Sequence, residues 1–147
     1  MTAESAVAKV QEALAAAMEH DGDKACALLK EIALDSDTDR MFGVCRVIAT
    51  AGCKATAKML GDRAPDIAAG DYYALELAPE ALDDPARVFS ARFIAAIANE
   101  EPATAAAYYE VLLAGGPQAF IDGVVQLLAD VAGQCRALLD QMEAGSG

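Results

Sequence analysis

Apolar residues return along most of this chain at the three- and four-residue steps of an α-helix, and polar clusters interrupt them at intervals. The first stripe is Val7, Val10, Leu14, Ala17 and Met18. It predicts a helix over about 4–20, closed by Asp21, Gly22 and Asp23, which supply a glycine stop and new caps. Leu28, Leu29 and Ile32 predict a second helix over about 23–35, ending in Asp35, Ser36 and Asp37, and that polar run also caps the next helix. From Thr38 to Leu60 the positions Met41, Val44, Cys45, Ile48, Ala51, Gly52, Ala55 and Met59 make a broad apolar face, as expected of a helix enclosed on more than one side.

Asp84 followed by Pro85 predicts a cap and first helical position, opening a fourth helix to about Asn99 with Phe89, Phe93 and Ile97 on one face. Pro102 opens a fifth, carrying Tyr108, Tyr109, Leu112 and Leu113 and stopping at Gly115 and Gly116. The strongest periodicity lies over about 117–142. There Ile121, Val124, Leu128, Val131, Cys135, Leu138 and Met142 form a heptad-like series, widened by Val125, Ala132 and Leu139.

Laying one half on the other at an offset of 79 to 80 residues puts Val10, Leu14 and Met18 on Phe89, Phe93 and Ile97, and Val44 and Ile48 on Val124 and Leu128. Any two amphipathic helices match in phase, but the like order of three helices and their loops favours duplication. The expected fold is therefore all-α: a bundle of about six helices in one domain, 1–147, built as two tandem three-helix units sharing one core. The expected divisions are a first unit over 1–61, an acidic connecting segment over 62–83, a second unit over 84–142 and a flexible tail over 143–147. The roughly 34-residue period and Trp/Gly/Tyr signature of tetratricopeptide helix pairs are absent.

Composition narrows the class. Of 147 residues, 55% are hydrophobic and 35 are Ala, with no Trp, which suits helices packed closely on small side chains. A net charge of −12 opposes general attraction to phosphate backbones and anionic lipid, so neither direct nucleic-acid binding nor membrane association is expected. The N-terminal stretch lacks a basic leader and no apolar run approaches membrane-spanning length, so a cytoplasmic protein is expected. Cys26, Cys45, Cys53 and Cys135 are scattered through helical patterns without a CxxC, and they read as reduced, buried thiols.

The charge is unevenly placed. Residues 1–63 hold 8 basic and 10 acidic side chains, a net of −2, whereas 64–147 hold 3 and 13, a net of −10. No acid occurs between Arg40 and Gly61, and Arg46, Lys54 and Lys58 share a helical face at four-residue multiples. This basic stripe reads either as a solvated face complementing the acidic half within one molecule, or as a surface that meets the acidic half of a second copy. The stretch from Ala64 to Asp84 has six acids and no base, and it is longer than a usual connection. Its centre, Tyr72 to Leu77, alternates in the manner of an extended piece docked between helices. Alternatively Tyr72, Tyr73, Glu76, Glu80, Asp83 and Asp84 form a partner surface of aromatic anchors ringed by carboxylates.

Candidate chemistry is sparse. Asp35, Asp37 and Asp39 imitate the opening of a calcium loop, but Arg40 stands where glycine is needed and Arg46 where a bidentate Glu belongs. His20 sits at a helix end with no GxSxG elbow, phosphate-cradling loop or HExxH helix to supply it with a partner. Glu100 with Glu101, and Asp83 with Asp84, are adjacent in sequence and so diverge. No catalytic residue, cofactor or metal is assigned, and the reading leans against an enzyme. The expected function is a non-enzymatic acidic helical module binding a basic or apolar protein surface. Self-assembly into a homo-oligomer is the first alternative, and small-ligand binding or catalysis between the two units, with Tyr108, Tyr109 and the cysteines lining a cavity, the second.

Overall fold

A computed structural model describes residues 2–146. It has six α-helices: α1 (Ala3–Met18), α2 (Gly22–Leu34), α3 (Thr38–Leu60), α4 (Pro85–Ala98), α5 (Pro102–Ala114) and α6 (Pro117–Ser146), with no strand among the described residues. The helix starts follow the caps expected from sequence. Asp37 Oδ1 accepts the Arg40 amide at 2.8 Å, Asp21 Oδ1 accepts that of Lys24, and Asp84 Oδ1 accepts that of Ala86 at 3.1 Å. Pro85, Pro102 and Pro117 each occupy a first helical position, where the missing N–H costs nothing.

The turns after α1 and α4 are built alike without glycine. In the first, the His20 and Asp21 amides donate to the carbonyls of Ala17 and Ala16. In the second, those of Glu100 and Glu101 donate to Ile97 and Ala96. Both are paired Schellman closures. Each places a non-glycine residue in the left-handed region, His20 at φ 62° and Glu100 at φ 57°.

α3 and α6 pack on each other more extensively than any other pair; α1 lies against both, α4 likewise, and α2 and α5 cover α1 and α4 from outside. One apolar cluster runs through all six helices, from Val10 and Ile32 through Ile48 and Phe93 to Leu127 and Val131. Contacts between the two three-helix runs are as intimate as those within them. Phe89, Phe93, Phe42, Tyr109 and Phe120 form a chain of edge-on and tilted rings with centroids 5.1 to 6.1 Å apart, linking α4, α3, α5 and α6. The Tyr109 hydroxyl donates to the Thr38 carbonyl at 2.7 Å, tying α5 to the start of α3.

Several details differ from the sequence expectation. The buried face of α1 is Ala6, Val10, Ala13 and Ala16, rotated from the stripe that included Val7, because alanines allow the neighbouring helices the closest approach and leave Val7 37% exposed. Gly22, expected to stop the first helix, instead opens α2, with His20 in the left-handed turn position, and the connecting segment holds short 3-10 turns at Gly61–Arg63, Ile67–Ala69 and Pro79–Asp83. Finally, α6 continues through Ser146, where a flexible tail is expected from 143; Gly147 lies outside the described residues.

Candidate functional site

Residues 71–78 carry no regular secondary structure. This strap lies over a groove lined by α3, α4 and α6; Asp71 ties its start to Asp66, and the Asn99 side chain fastens its middle to α4. The Asn99 amide, at the end of α4, accepts a hydrogen bond from the Tyr73 N–H and donates one to the Tyr73 carbonyl at 3.0 Å. A side-chain amide thus imitates one rung of a β-ladder. At the far end, Ala81 is 1% exposed and the turn containing it packs on α4. Asn99→Ala should raise the hydrogen-exchange rate of the Tyr73 amide about tenfold while leaving the helices protected. An unchanged rate would show that the strap is held by other contacts.

Beneath the strap is a groove of about 480 Å³. Tyr73 to Glu76 form one wall. Small side chains form most of the rest: Ala91, Ala95 and Ala98 from α4, Ala129 and Gly133 from α6, and Cys53 and Thr56 from α3, with Ile94, Asp130 and Gln134 between them. The groove exists because these positions are too small to close the space between three diverging helices. Polar groups gather at its α6 wall. Ser90, fully buried, donates its hydroxyl to Asp130 Oδ2 at 2.6 Å, and Gln126 donates its amide N–H to Asp130 Oδ1 at 2.9 Å. Gln134 also lines the groove, and its buried side-chain oxygen has no hydrogen-bond partner. Burial pushes the Cys53 thiol up to about 11, so it stays neutral and donates to the Ile94 carbonyl at 3.6 Å.

The proposed partner surface is only partly one surface. Tyr72 is 72% exposed, Leu75 43% and Leu82 58%, with Glu76, Glu80 and Asp83 exposed beside them. Tyr73 is half-buried under the Asn99 clamp, and the Asp84 carboxylate is engaged as the cap of α4, so these two contribute to structure. Arg46, Lys54 and Lys58 are exposed on α3 and, among the described residues, enter no ion pair. The stripe is thus not a seam between the halves. Arg46 lies over the Phe42 ring, its guanidinium carbon 5.9 Å from the centroid. Arg46 and Lys54 also edge a second groove, about 570 Å³, between α1 and α3, whose walls include Leu14, Val47 and Ile48 and no acid.

Tyr108, Tyr109 and the cysteines do not line one cavity: Cys53, Cys26 and Tyr108 face three different depressions, and Cys45 is buried near Tyr109. Tyr109 is committed to Thr38, and its phenol is pushed up by burial, with Cys45, Asp39 and Asp37 adding to the effect. Tyr108 lines a shallow depression between α4 and α5 under the Arg92 guanidinium. Cys45 is fully buried with its thiol pushed up to about 12, and burial also raises Cys135. Among the described residues no cluster of His, Cys, Asp and Glu could hold a metal ion, and no helix is long and apolar enough to cross a membrane.

Sequence reasoning missed Ser90, Asn99, Gln126, Asp130 and Gln134. Ser90 carried one usable signal, since it follows Phe89 on a helix with a wide apolar face. The other four are polar residues at positions that sequence assigns to solvent. No protein-family model, curated protein or solved structure matches the chain.

Proposed function

We propose that this chain is a protein-interaction module that engages a basic partner through the strap and the turn that follows it. One observation carries the reading: Tyr72 and Leu82 stand largely in solvent, and Leu75 partly so, on a stretch that bears Asp71, Glu76, Glu80 and Asp83 and no base. Large apolar side chains left in water and ringed by like charge suit a surface that becomes covered, with the apolar groups supplying affinity and the carboxylates steering encounter. The helices hold the surface and take no part in chemistry. A photo-crosslinker at position 72, used in cells of the source organism, should capture one principal protein. Tyr72→Ser combined with Leu75→Ser and Leu82→Ser should abolish capture with helicity unchanged, and affinity should fall about tenfold or more between about 50 and 500 mM salt. Capture that survives the triple variant, or affinity indifferent to salt, would exclude the strap as the contact.

The α1/α3 groove favours self-association as the second reading, because it offers Arg46 and Lys54 over an apolar floor to which the acidic, apolar strap of another copy is complementary. Such a contact joins unlike surfaces, so it either closes reciprocally as a two-fold pair or runs head to tail. Sedimentation at low salt should then show mass rising with concentration, and Arg46→Glu with Lys54→Glu should return the protein to monomer. A wild-type monomer at all concentrations leaves only the separate partner.

A further inference from the structure

We propose that the groove beneath the strap binds a small amphipathic amine, a ligand site that goes beyond the interaction surface and does not depend on it. At about 480 Å³ the groove falls within the range of roughly 300 to 1,000 Å³ usual for small-molecule sites. Its walls are mostly methyl and methylene groups, which ask for an apolar body in the ligand. Its charged groups are both acidic: Asp130 on α6 and Glu76 on the strap, with no Lys, Arg or His in the lining.

The Asp130 carboxylate is held ready. Buried Ser90 and Gln126 each donate to a different one of its oxygens and fix its orientation, and each oxygen keeps a lone pair for a further donor. The side-chain oxygen of Gln134 is buried against Gly52, so Asp130 is the acceptor that the α6 wall offers a ligand. An oriented carboxylate with free lone pairs in a groove without a base calls for N–H donors carrying positive charge. An anionic ligand would meet repulsion from Asp130 and Glu76, and a neutral one would displace water from the half-buried Asp130 carboxylate without answering its charge. The Cys53 thiol, neutral and already donating to Ile94, serves as apolar wall and offers no nucleophile.

Glu76 is exposed on the strap and Asp130 half-buried on the bundle, so Asp130 is the group that holds the ammonium and Glu76 adds negative potential at the mouth of the groove. Calorimetric titration with tryptamine and hexylamine, each against its neutral alcohol, tryptophol and hexanol, and against indole-3-propionate, tests the proposal. At least one amine should bind saturably and at least about tenfold tighter than its alcohol, the anion should not bind, and amide shifts should centre on Ala95, Ala98 and Ala129. Asp130→Asn should reduce the preference for amine over alcohol to below about threefold. Because that change also disturbs Ser90, a second variant guards the result: Gly133→Leu, at a position where an added Cβ meets nothing within 4 Å, fills the groove and should abolish binding with the fold intact. Failure of both amines to bind, equal binding of amine and alcohol, or shifts centred outside the groove would overturn it. None of these outcomes bears on capture of a protein at position 72.

Discussion

Phe93→Ala should lower the free energy of unfolding by about 4 kcal/mol, the largest loss expected from any single truncation in this chain. The ring is fully buried and touches Phe89 at 5.3 Å and Phe42 at 6.1 Å between centroids. It thereby joins α4 to the centre of α3. Removing it takes away the transfer energy of the ring and leaves a hole whose walls are long helices pinned at several other points. Those walls cannot move in to fill it. Against a total stability of about 5 to 15 kcal/mol for a domain this size, the variant should unfold at a much lower urea concentration with an unchanged slope. Phe93→Leu, which keeps most of the volume, should cost markedly less. A loss below about 1.5 kcal/mol for the alanine variant would show that the ring chain is peripheral and that the two three-helix runs are held together elsewhere.

Phe93 was legible in the sequence, and the reason is general to this fold. Its place in the Phe89, Phe93, Ile97 stripe follows from periodicity, and periodicity is sufficient wherever a large side chain faces the core. The same logic located Ile32, Ile48 and Val131. On α1 it finds Val10 and the half-buried Leu14 and Ala17, but it puts Val7 on the packing face, where the structure has Ala6, Ala13 and Ala16. In a chain this rich in alanine, the face that packs is the one permitting the closest approach of backbones, and hydrophobicity alone does not distinguish Ala13 from Ala15. Leu127, fully buried, was passed over for a related reason: α6 is enclosed on more sides than a heptad-like series describes.

The groove was less legible than the core because its polar groups act across long sequence separations. Asp130 reads as a solvent-facing acid on an amphipathic helix until α4 places Ser90 against it, and Asn99 reads as an ordinary helix end until the strap returns to it. No local pattern encodes either meeting. The strap itself was expected to be a docked, extended piece, and its acids and tyrosines were singled out from composition alone. What composition did not separate was role: Tyr72 and Tyr73 are neighbours, yet one is displayed and the other is clamped. His20 and Glu100 illustrate the same limit in the turns. Sequence marks a left-handed position by glycine, and neither turn uses one.

Gly52→Val should destabilise the protein by about 2 to 3 kcal/mol, whereas Gly43→Ala, on the same helix, should stabilise it by up to about 1 kcal/mol. The contrast isolates the one place where α3 and α6 need a hydrogen in place of a side chain. A Cβ on Gly52 would stand 2.9 Å from a γ-methyl of Val131 and closer still to the Gln134 amide oxygen. Gln134 can swing aside at little cost, since that oxygen holds no hydrogen bond. Val131 cannot, because it is fully buried and β-branched. A single added methyl, as in Gly52→Ala, therefore trades a small displacement against the helical preference of alanine and should change stability by less than about 1 kcal/mol. The two further methyls of valine have no such exit and must push the helices apart. Gly43 meets nothing within 4 Å, so alanine there adds helix propensity alone. Chemical denaturation of the three variants checks the order. A stable Gly52→Val protein would mean that α3 and α6 tolerate wider spacing than their packing implies. The groove they wall with α4 would then be adjustable in width, and the amine preference should depend on the charges of Asp130 and Glu76 far more than on the fit of the apolar body.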